Sequence, residues 1–386
     1  MSQGTGTPKV TARVASGNLL RQIQVTDGVA GIVGTAYQTD NIGKVKTVYS
    51  LDDAIAKGYT ESAEPSLYRH ISEYYQELGG NMELWILGTE DTMTLESAVS
   101  SSNANGLKKL LTTSQGRVNI VGVCRTPASS YSAPAGFLDN DVEKAVIASK
   151  SLAQYQQSIN RPVRILIEGR IVDATKNPYY SPNTATNTYS GVVIGSTKND
   201  GAGMVGVALA RAVKYPAHVK IGNGQNGALS ITSAFIGSKP IEDFTPTELD
   251  GFSNAGYILP HIRDGFAGYF FGVDNMAGND DFRILAYGRL IDKAQRIATA
   301  ANSAFLETSV RMTKDGKLNE TDTAYLEDII KQQIRSKMSE QISDVDVIVP
   351  KDQDLINTSS LAMQVKIQPL GYLTWITVNL GLTKNI

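Results

Sequence analysis

Gly222, Gly224 and Gly227 have the G-x-G-x-x-G spacing with which a strand-turn-helix unit cradles a dinucleotide pyrophosphate. That chemistry needs a helix N-terminus after the glycines, so that backbone N–H groups converge on the anion. Here Ala228-Leu229-Ser230-Ile231-Thr232 follows, a run that favours a strand, and the motif reads as an asparagine-glycine loop. Gly43-Lys44 and Gly316-Lys317 are followed by Val45 and Leu318, where a P-loop carries the Ser or Thr that holds magnesium. The sequence has no G-x-S-x-G elbow and no H-E-x-x-H helix. His70, His218 and His261 are widely separated, and none has a ligand at short spacing. Cys124 ends an apolar run and reads as a small buried hydrophobe. Asp274, Asn279, Asp280 and Asp281 lack the alternation of a calcium loop. The expectation is a protein without catalytic, cofactor-binding or metal-ligating residues, and not an enzyme.

Composition agrees. The 386 residues are 41% hydrophobic, enough for real cores in two or three domains. Lys plus Arg number 36 against 38 Asp plus Glu, a net charge of -2 without the basic footprint of a nucleic-acid-coating protein. Charged residues make up only 19%, below the usual level of about 25%, which suggests surface hidden in contacts between subunits. A single cysteine forbids an intrachain disulfide and a cysteine-rich zinc site, and fits a reducing compartment. MSQGTGTPKV lacks the apolar core of a signal peptide, and the stretch from Lys366 to Lys384 is interrupted by Gln368, Thr374, Thr377 and Asn379. A soluble chain with no direct contact to membrane or nucleic acid is expected.

The elements alternate between helices and short apolar strands. Strands are expected at Val29–Gly34, Met82–Leu87, Val118–Val123 and Val163–Glu168. Ser50, with Asp52 and Asp53 behind it, caps a short helix that ends at Gly58, and further helices cover Glu64 to Gly79 and about 140–158. Residues 172–192 look like loop, and the glycine-rich span from Tyr189 to Phe235 gives no clear periodicity. Beyond 250 the pattern becomes helical. Tyr287, Leu290, Ile291, Ala294, Ile297, Ala298, Ala301 and Phe305 form one stripe, and Leu326, Ile329, Ile330, Ile334 and Met338 form another over about 322–341. The fold class is α/β in a mixed α+β arrangement, multidomain, with an extended arm at each end.

Those arms are the most informative feature. Val10, Ala12 and Val14 alternate with polar residues near the start. Leu361–Ile367 and Tyr372–Leu382 alternate at the end, the second placing Ile376, Val378, Leu380 and Leu382 on one face. Such strands either pair within their own chain or are donated to a neighbour's sheet.

In order along the chain, the motifs resemble those of the contractile tail sheath proteins of bacteriophages, R-type bacteriocins and related injection particles. Val29-Ala30-Gly31-Ile32-Val33-Gly34-Thr35-Ala36 is similar to the family's early T-S-V-A-A-F-V-G-x-A strand, and Val45-x-x-Val48-x-Ser50-Leu51-Asp52-Asp53-Ala54 to its V-x-S-x-x-D-F helix start. Ile71 to Leu87, with Gly79-Gly80, resembles F-F-x-N-G-G-x-x-x-x-V-V-R-V. Leu249–Ala255 resembles the L-N-x-x-G-I-N turn, Gly268–Gly272 the W-G-A-R-T strand, and Phe282–Leu290 the Y-I-N-V-R-R-L segment. Val365–Pro369 and Ile376–Val378 resemble the last two strands. Asp250, Ser253 and Gly288 depart from the pattern, Gly288 standing where an arginine is usual.

The resemblance implies an N-terminal arm at 1–24, an outer domain at 25–250, an inner tube-facing domain at 251–360 and a C-terminal β arm at 361–386. It also implies a structural role without cofactors. Subunits would self-assemble as a helix of six-fold rings around an inner tube protein, bounded by baseplate and tail terminator proteins, and contract to drive the tube through a target envelope. Assembly in the bacterial cytoplasm and a final place in a virion tail or contractile particle follow. Lys331, Arg335 and Lys337, opposite the apolar stripe of their helix, are the tube-facing candidates. A nucleotide-dependent α/β enzyme using Gly222–Gly227, and a non-contractile tube or shell protein, are the alternatives.

Overall fold

A computed structural model describes residues 27–377. Six parallel strands run side by side through its centre: β1 (Ala30–Thr35), β3 (Leu84–Thr89), β4 (Ile120–Val123), β5 (Arg164–Glu168), β6 (Ser190–Val193) and β9 (Tyr257–Ile258). An antiparallel strand, β2 (Val45–Val48), closes one edge, giving the order β2-β3-β1-β4-β5-β6-β9. Every residue of β1, β4, β5 and β6 is buried, which is why β1, β4 and β5 read as apolar runs and not as alternations; β6 lies where the sequence reads as loop without periodicity. At the β2 edge, Lys57 Nζ donates to Thr47 O at 2.7 Å, a lysine laid over an otherwise open strand. Two short hairpins, β7 (Phe235–Ile236) with β8 (Lys239–Pro240) and β10 (Pro260–Ile262) with β11 (Tyr269–Phe271), lie outside this sheet.

The helices α2 (Pro65–Leu78) and α6 (Val205–Lys214) cover one face, while α3 (Leu95–Val99), α4 (Leu107–Ser114) and α5 (Asn140–Ser158) cover the other. The cap on α1 (Leu51–Ala56) is as expected, Ser50 Oγ accepting from Asp53 N. Gly79 ends α2 in a left-handed conformation at φ 68°. Helix α6 falls in the span that gave no periodicity. All its residues from Val205 to Val213 are buried, so it has no polar face to create a stripe. It lies directly on the sheet, because a Cβ on Gly122 would stand 2.3 Å from Val205 Cγ1. Ala228–Thr232, expected to extend as a strand, is irregular; Leu229 N donates to Tyr269 O at 2.7 Å and fastens it to the β10–β11 hairpin. The Leu249–Ala255 segment, expected as a turn, is part of helix α7 (Pro246–Ala255), started by a capping box between Thr245 and Glu248.

The first core runs past residue 250 to Leu285. A second begins at Leu290 and joins α8 (Leu285–Asn302), α9 (Glu320–Met338) and β12 (Ile342–Ile348). The stripe of α9 is buried as expected at Leu326, Ile330, Ile334 and Met338. Of the two strands expected at the end, the first is β13 (Gln364–Pro369), paired antiparallel with β12; the short α10 (Leu355–Thr358) precedes it. Tyr372–Thr377 enters no ladder. Val378, Leu380 and Leu382, like Val10, Ala12 and Val14, lie outside the described residues.

Candidate assembly surface

An open parallel sheet offers a ligand crevice where its strand order reverses, outside the carboxyl ends of the two strands concerned. Here those strands are β1 and β4, and the crevice is filled by the chain itself. Thr126 N donates to Thr35 Oγ1 at 3.0 Å, and Thr126 Oγ1 to Ser66 Oγ at 2.9 Å. The Glu64 carboxylate accepts from Tyr37 N, Gln38 N and Asn41 Nδ2 at 2.7–2.9 Å. Glu168 accepts from Arg125 N at 2.8 Å and Gly203 N at 3.1 Å, and Asp141 takes Leu95 N together with the Arg125 guanidinium. Backbone donors of the kind that would grip a phosphate are held by carboxylates of this chain.

The Gly222–Gly227 loop has the opposite polarity to a phosphate cradle. It forms a 3-10 turn at Gly224–Asn226, and its carbonyls face cations: Arg211 donates to Asn226 O and Gly227 O, and Arg263 to Gly222 O at 2.5 Å. Among the described residues, no group of three or more His, Cys, Asp or Glu side chains is placed to hold a metal ion. No helix there is long and apolar enough to cross a membrane.

Cys124 and His70 are both buried beside this crevice. His70 Nδ1 stands 3.7 Å from Glu73 Oε2, an ion-pair distance, while Glu73 accepts from Arg69 Nε and Thr197 Oγ1. Burial opposes charge on both groups, but the His70 partner and Arg69 prevail and hold Glu73 down at about 2. His70 is raised well above 6.5 against its own burial penalty, through Cys124 and Glu73. The signs then fix a window. Glu73 contributes stability that is complete above its ordinary 4.5 and is lost as pH falls toward 2. His70 contributes stability that is complete below 6.5 and is lost as pH rises through its raised value. The unfolding midpoint should therefore plateau between those limits. Glu73→Gln should flatten the acid limb, a change on the order of 3 kcal/mol at pH 6, readable by thermal melts across pH. An unchanged acid limb would refute the assignment.

What stands open is in the C-terminal half. β12 and β13 form a two-stranded sheet, so among the described residues each has one unpaired edge. Val345 and Val347 bury one face against α8 and α9, whereas Val365 and Ile367 of β13, and Met363 just before it, are only partly covered. Beside β13 lies a groove of about 1060 Å³ with a mixed lining, apolar at Ile291, Ala294, Ala298, Leu306, Met363 and Val365 and polar at Gln295, Thr299, Asn302 and Ser309. The chain then leaves the body with Leu373, Trp375 and Ile376 at 88%, 85% and 73% exposure. A groove beside an open strand edge, and exposed apolar side chains at Leu373, Trp375 and Ile376, occur in one molecule.

Lys331, Arg335 and Lys337 lie on the outward side of α9. Lys331 pairs with Asp346 at 3.3 Å and Arg335 with Asp344 at 2.7 Å, so two of the three cations are answered by β12. Lys337 is exposed and has no ion-pair partner among the described residues. The expected face is thus a mixed-charge strip with one unanswered cation.

Sequence reasoning missed the joint between the two cores. Arg289, Asp292, Lys293 and Arg296 recur at three and four residues on α8, a charged stripe opposite the apolar one. Arg164 of β5 meets Asp292 in two bonds of 2.7 and 2.6 Å; Arg289 donates to Asp27 O, and Arg296 to Gly116 O and Pro162 O. Asp27 also takes Lys293 and Gln341. The departure at Gly288 has its reason here. A Cβ at 288 would stand 2.8 Å from Arg164 Cζ, so the guanidinium of β5 occupies the space a side chain on α8 would need.

Two family models together match nearly the whole chain: the DUF2586 N-terminal domain at residues 7–275 and the DUF2586 C-terminal domain at 281–386. The fold is that of contractile sheath proteins. A chain of the anti-feeding prophage baseplate matches at 12% identity and TM-score 0.63, over 98% of this chain and 100% of that one. A chain of the anti-feeding prophage helical sheath in its contracted state matches at 12% identity and TM-score 0.59, over 99% and 100%. The sheath tail protein from Desulfitobacterium hafniense matches at 11% identity and TM-score 0.53, over 95% and 100%. No curated protein sequence matches the chain.

Proposed function

The chain belongs to the DUF2586 family, and we propose that it is the structural subunit of a contractile tail sheath. The observation that carries this reading is the open β12–β13 sheet with the groove beside it, in a molecule that exposes the apolar side chains of Leu373, Trp375 and Ile376. In the proposed assembly, the terminal strands carrying Val10, Ala12 and Val14, and Ile376, Val378, Leu380 and Leu382, complete the sheets of neighbouring copies. Polymerisation then closes the edges a monomer leaves unpaired. Six-fold rings stacked around an inner tube, baseplate and terminator contacts, contraction, and assembly in the bacterial cytoplasm belong to the same reading. The plugged crevice between β1 and β4 and the carbonyl-lined Gly222–Gly227 loop both argue against a nucleotide enzyme.

Negative-stain microscopy of the purified chain, alone and with its tube protein, tests the proposal. Striated hollow cylinders support it; smooth thin tubes favour a non-contractile tube, and compact particles at all concentrations refute it. Within this reading the α9 strip faces the tube, and exposed pairs of about 0–1 kcal/mol suit a contact that must let go. Lys337→Glu spares both pairs with β12 and should reduce assembly on the tube several-fold at low salt, with the difference vanishing at high salt. Unchanged assembly at low salt would remove α9 from the tube contact.

A further inference from the structure

We infer that Tyr372 is the latch that sets where and in which direction the C-terminal arm leaves the body, and that its socket is shared by the two halves of the chain. Its functional sense rests on the arm being donated, as proposed above; its geometry does not. Tyr372 Oη donates to His218 O at 2.5 Å, and its ring meets that of Tyr287 at 5.2 Å between centroids. Lys220 Nζ lies 5.4 Å from the Tyr372 ring centroid. Beneath it, Lys220 pairs at 3.5 Å with Asp274, whose buried carboxylate accepts from Ala286 N in the first turn of α8. His218, Lys220 and Asp274 belong to the N-terminal domain, Tyr287 to the C-terminal one.

The contacts change abruptly at this residue. β13 holds the chain through Pro369, Tyr287 Oη donates to Leu370 O at 3.4 Å, and Tyr372 is partly buried. Leu373, Trp375 and Ile376, by contrast, are exposed. The socket asks for a flat ring against a second ring and a cation, and an O–H for a carbonyl. Tyrosine alone supplies all of them. Phenylalanine would keep the stack and leave His218 O without its donor; alanine would also uncover the Lys220–Asp274 pair. With Tyr372 seated, the first free residues start from one point on the joint, which shortens the search of the arm for a neighbouring edge.

Both tryptophans are usable reporters, Trp375 three residues past the latch and Trp85 on β3. The full chain labelled with 5-fluorotryptophan, at concentrations below assembly, gives one fluorine signal for each. In Tyr372→Ala the Trp375 signal should relax at least about two-fold more slowly in the transverse plane, as motion about a free tether narrows it, with Trp85 unchanged. Tyr372→Phe and Lys220→Met should fall between. Equal Trp375 relaxation in wild type and Tyr372→Ala overturns the latch. If Tyr372→Ala disturbs Trp85, the two milder variants decide, and wild-type relaxation in both overturns it. Under assembly conditions Tyr372→Ala should yield several-fold fewer polymers. A wild-type chain that never polymerises refutes the sheath reading and leaves the relaxation result standing.

Discussion

A chain ending at Tyr372 should fold with the wild-type unfolding midpoint and form no polymer. The cut falls there because β13 pairs with β12 through Pro369 and Tyr372 is seated, whereas Leu373, Trp375 and Ile376 contribute little burial to their own body. If Ile376, Val378, Leu380 and Leu382 form one face of a strand on a neighbour, roughly half a dozen backbone hydrogen bonds at about 1 kcal/mol each join two subunits. Four aliphatic side chains would add about 1.5–3 kcal/mol each before the entropy of ordering is subtracted. A loss of that size abolishes assembly at any practical concentration. Circular dichroism, size-exclusion chromatography and electron microscopy on the truncated chain separate the possibilities. Aggregated or unfolded protein would mean that the segment covers its own core, and ordered polymers of normal length would mean that the arm is dispensable. Either result defeats the donated-strand model.

How much of this could be seen in the sequence depended on how local the physics was. The cap at Ser50, the stop at Gly79 and the helix at Asn140–Ser158 rest on neighbours within a few residues and were legible. So was the α9 stripe, because one side of that helix is wet. Helix α6 was not legible, since burial on all sides removes the contrast that periodicity reads. The filled crevice depends on Glu64, Asp141 and Glu168 reaching backbone donors tens of residues away, which no spacing rule records. The groove beside β13 arises only when residues near 291–298 and 363–365 are brought together. The charged stripe on α8 was visible as a spacing, but its meaning required knowing that Arg164, at the start of an apolar strand, would face it.

That pair carries the second large effect: Asp292→Ala should cost about 3–5 kcal/mol of stability. Arg164 and Asp292 are 1% and 6% exposed, so neither charge regains water when its partner is removed. Without the carboxylate, the guanidinium keeps Thr188 O at 2.9 Å and the rings of Tyr189 and Phe282 at 5.1 and 5.9 Å, none of which carries a countercharge. An exposed pair would lose at most about 1 kcal/mol under the same substitution, which makes magnitude the discriminator. The double substitution Arg164→Met with Asp292→Leu should recover much of the loss, because removing both charges removes the stranded one. Urea unfolding of the two single variants and the double variant closes the cycle. A single-variant loss below about 1 kcal/mol would show that the joint is wet in solution. The consequence reaches the proposed function. Helix α8 presents its apolar side to α9 and β12 and its charged side to β5, so this joint is one of the links, with Tyr372–His218 and Gln341–Asp27, through which a pull on the β12–β13 sheet reaches the body. A variant with Asp292→Ala should therefore assemble through intact arms yet yield at the joint, giving polymers that lose order on contraction while the wild type keeps it.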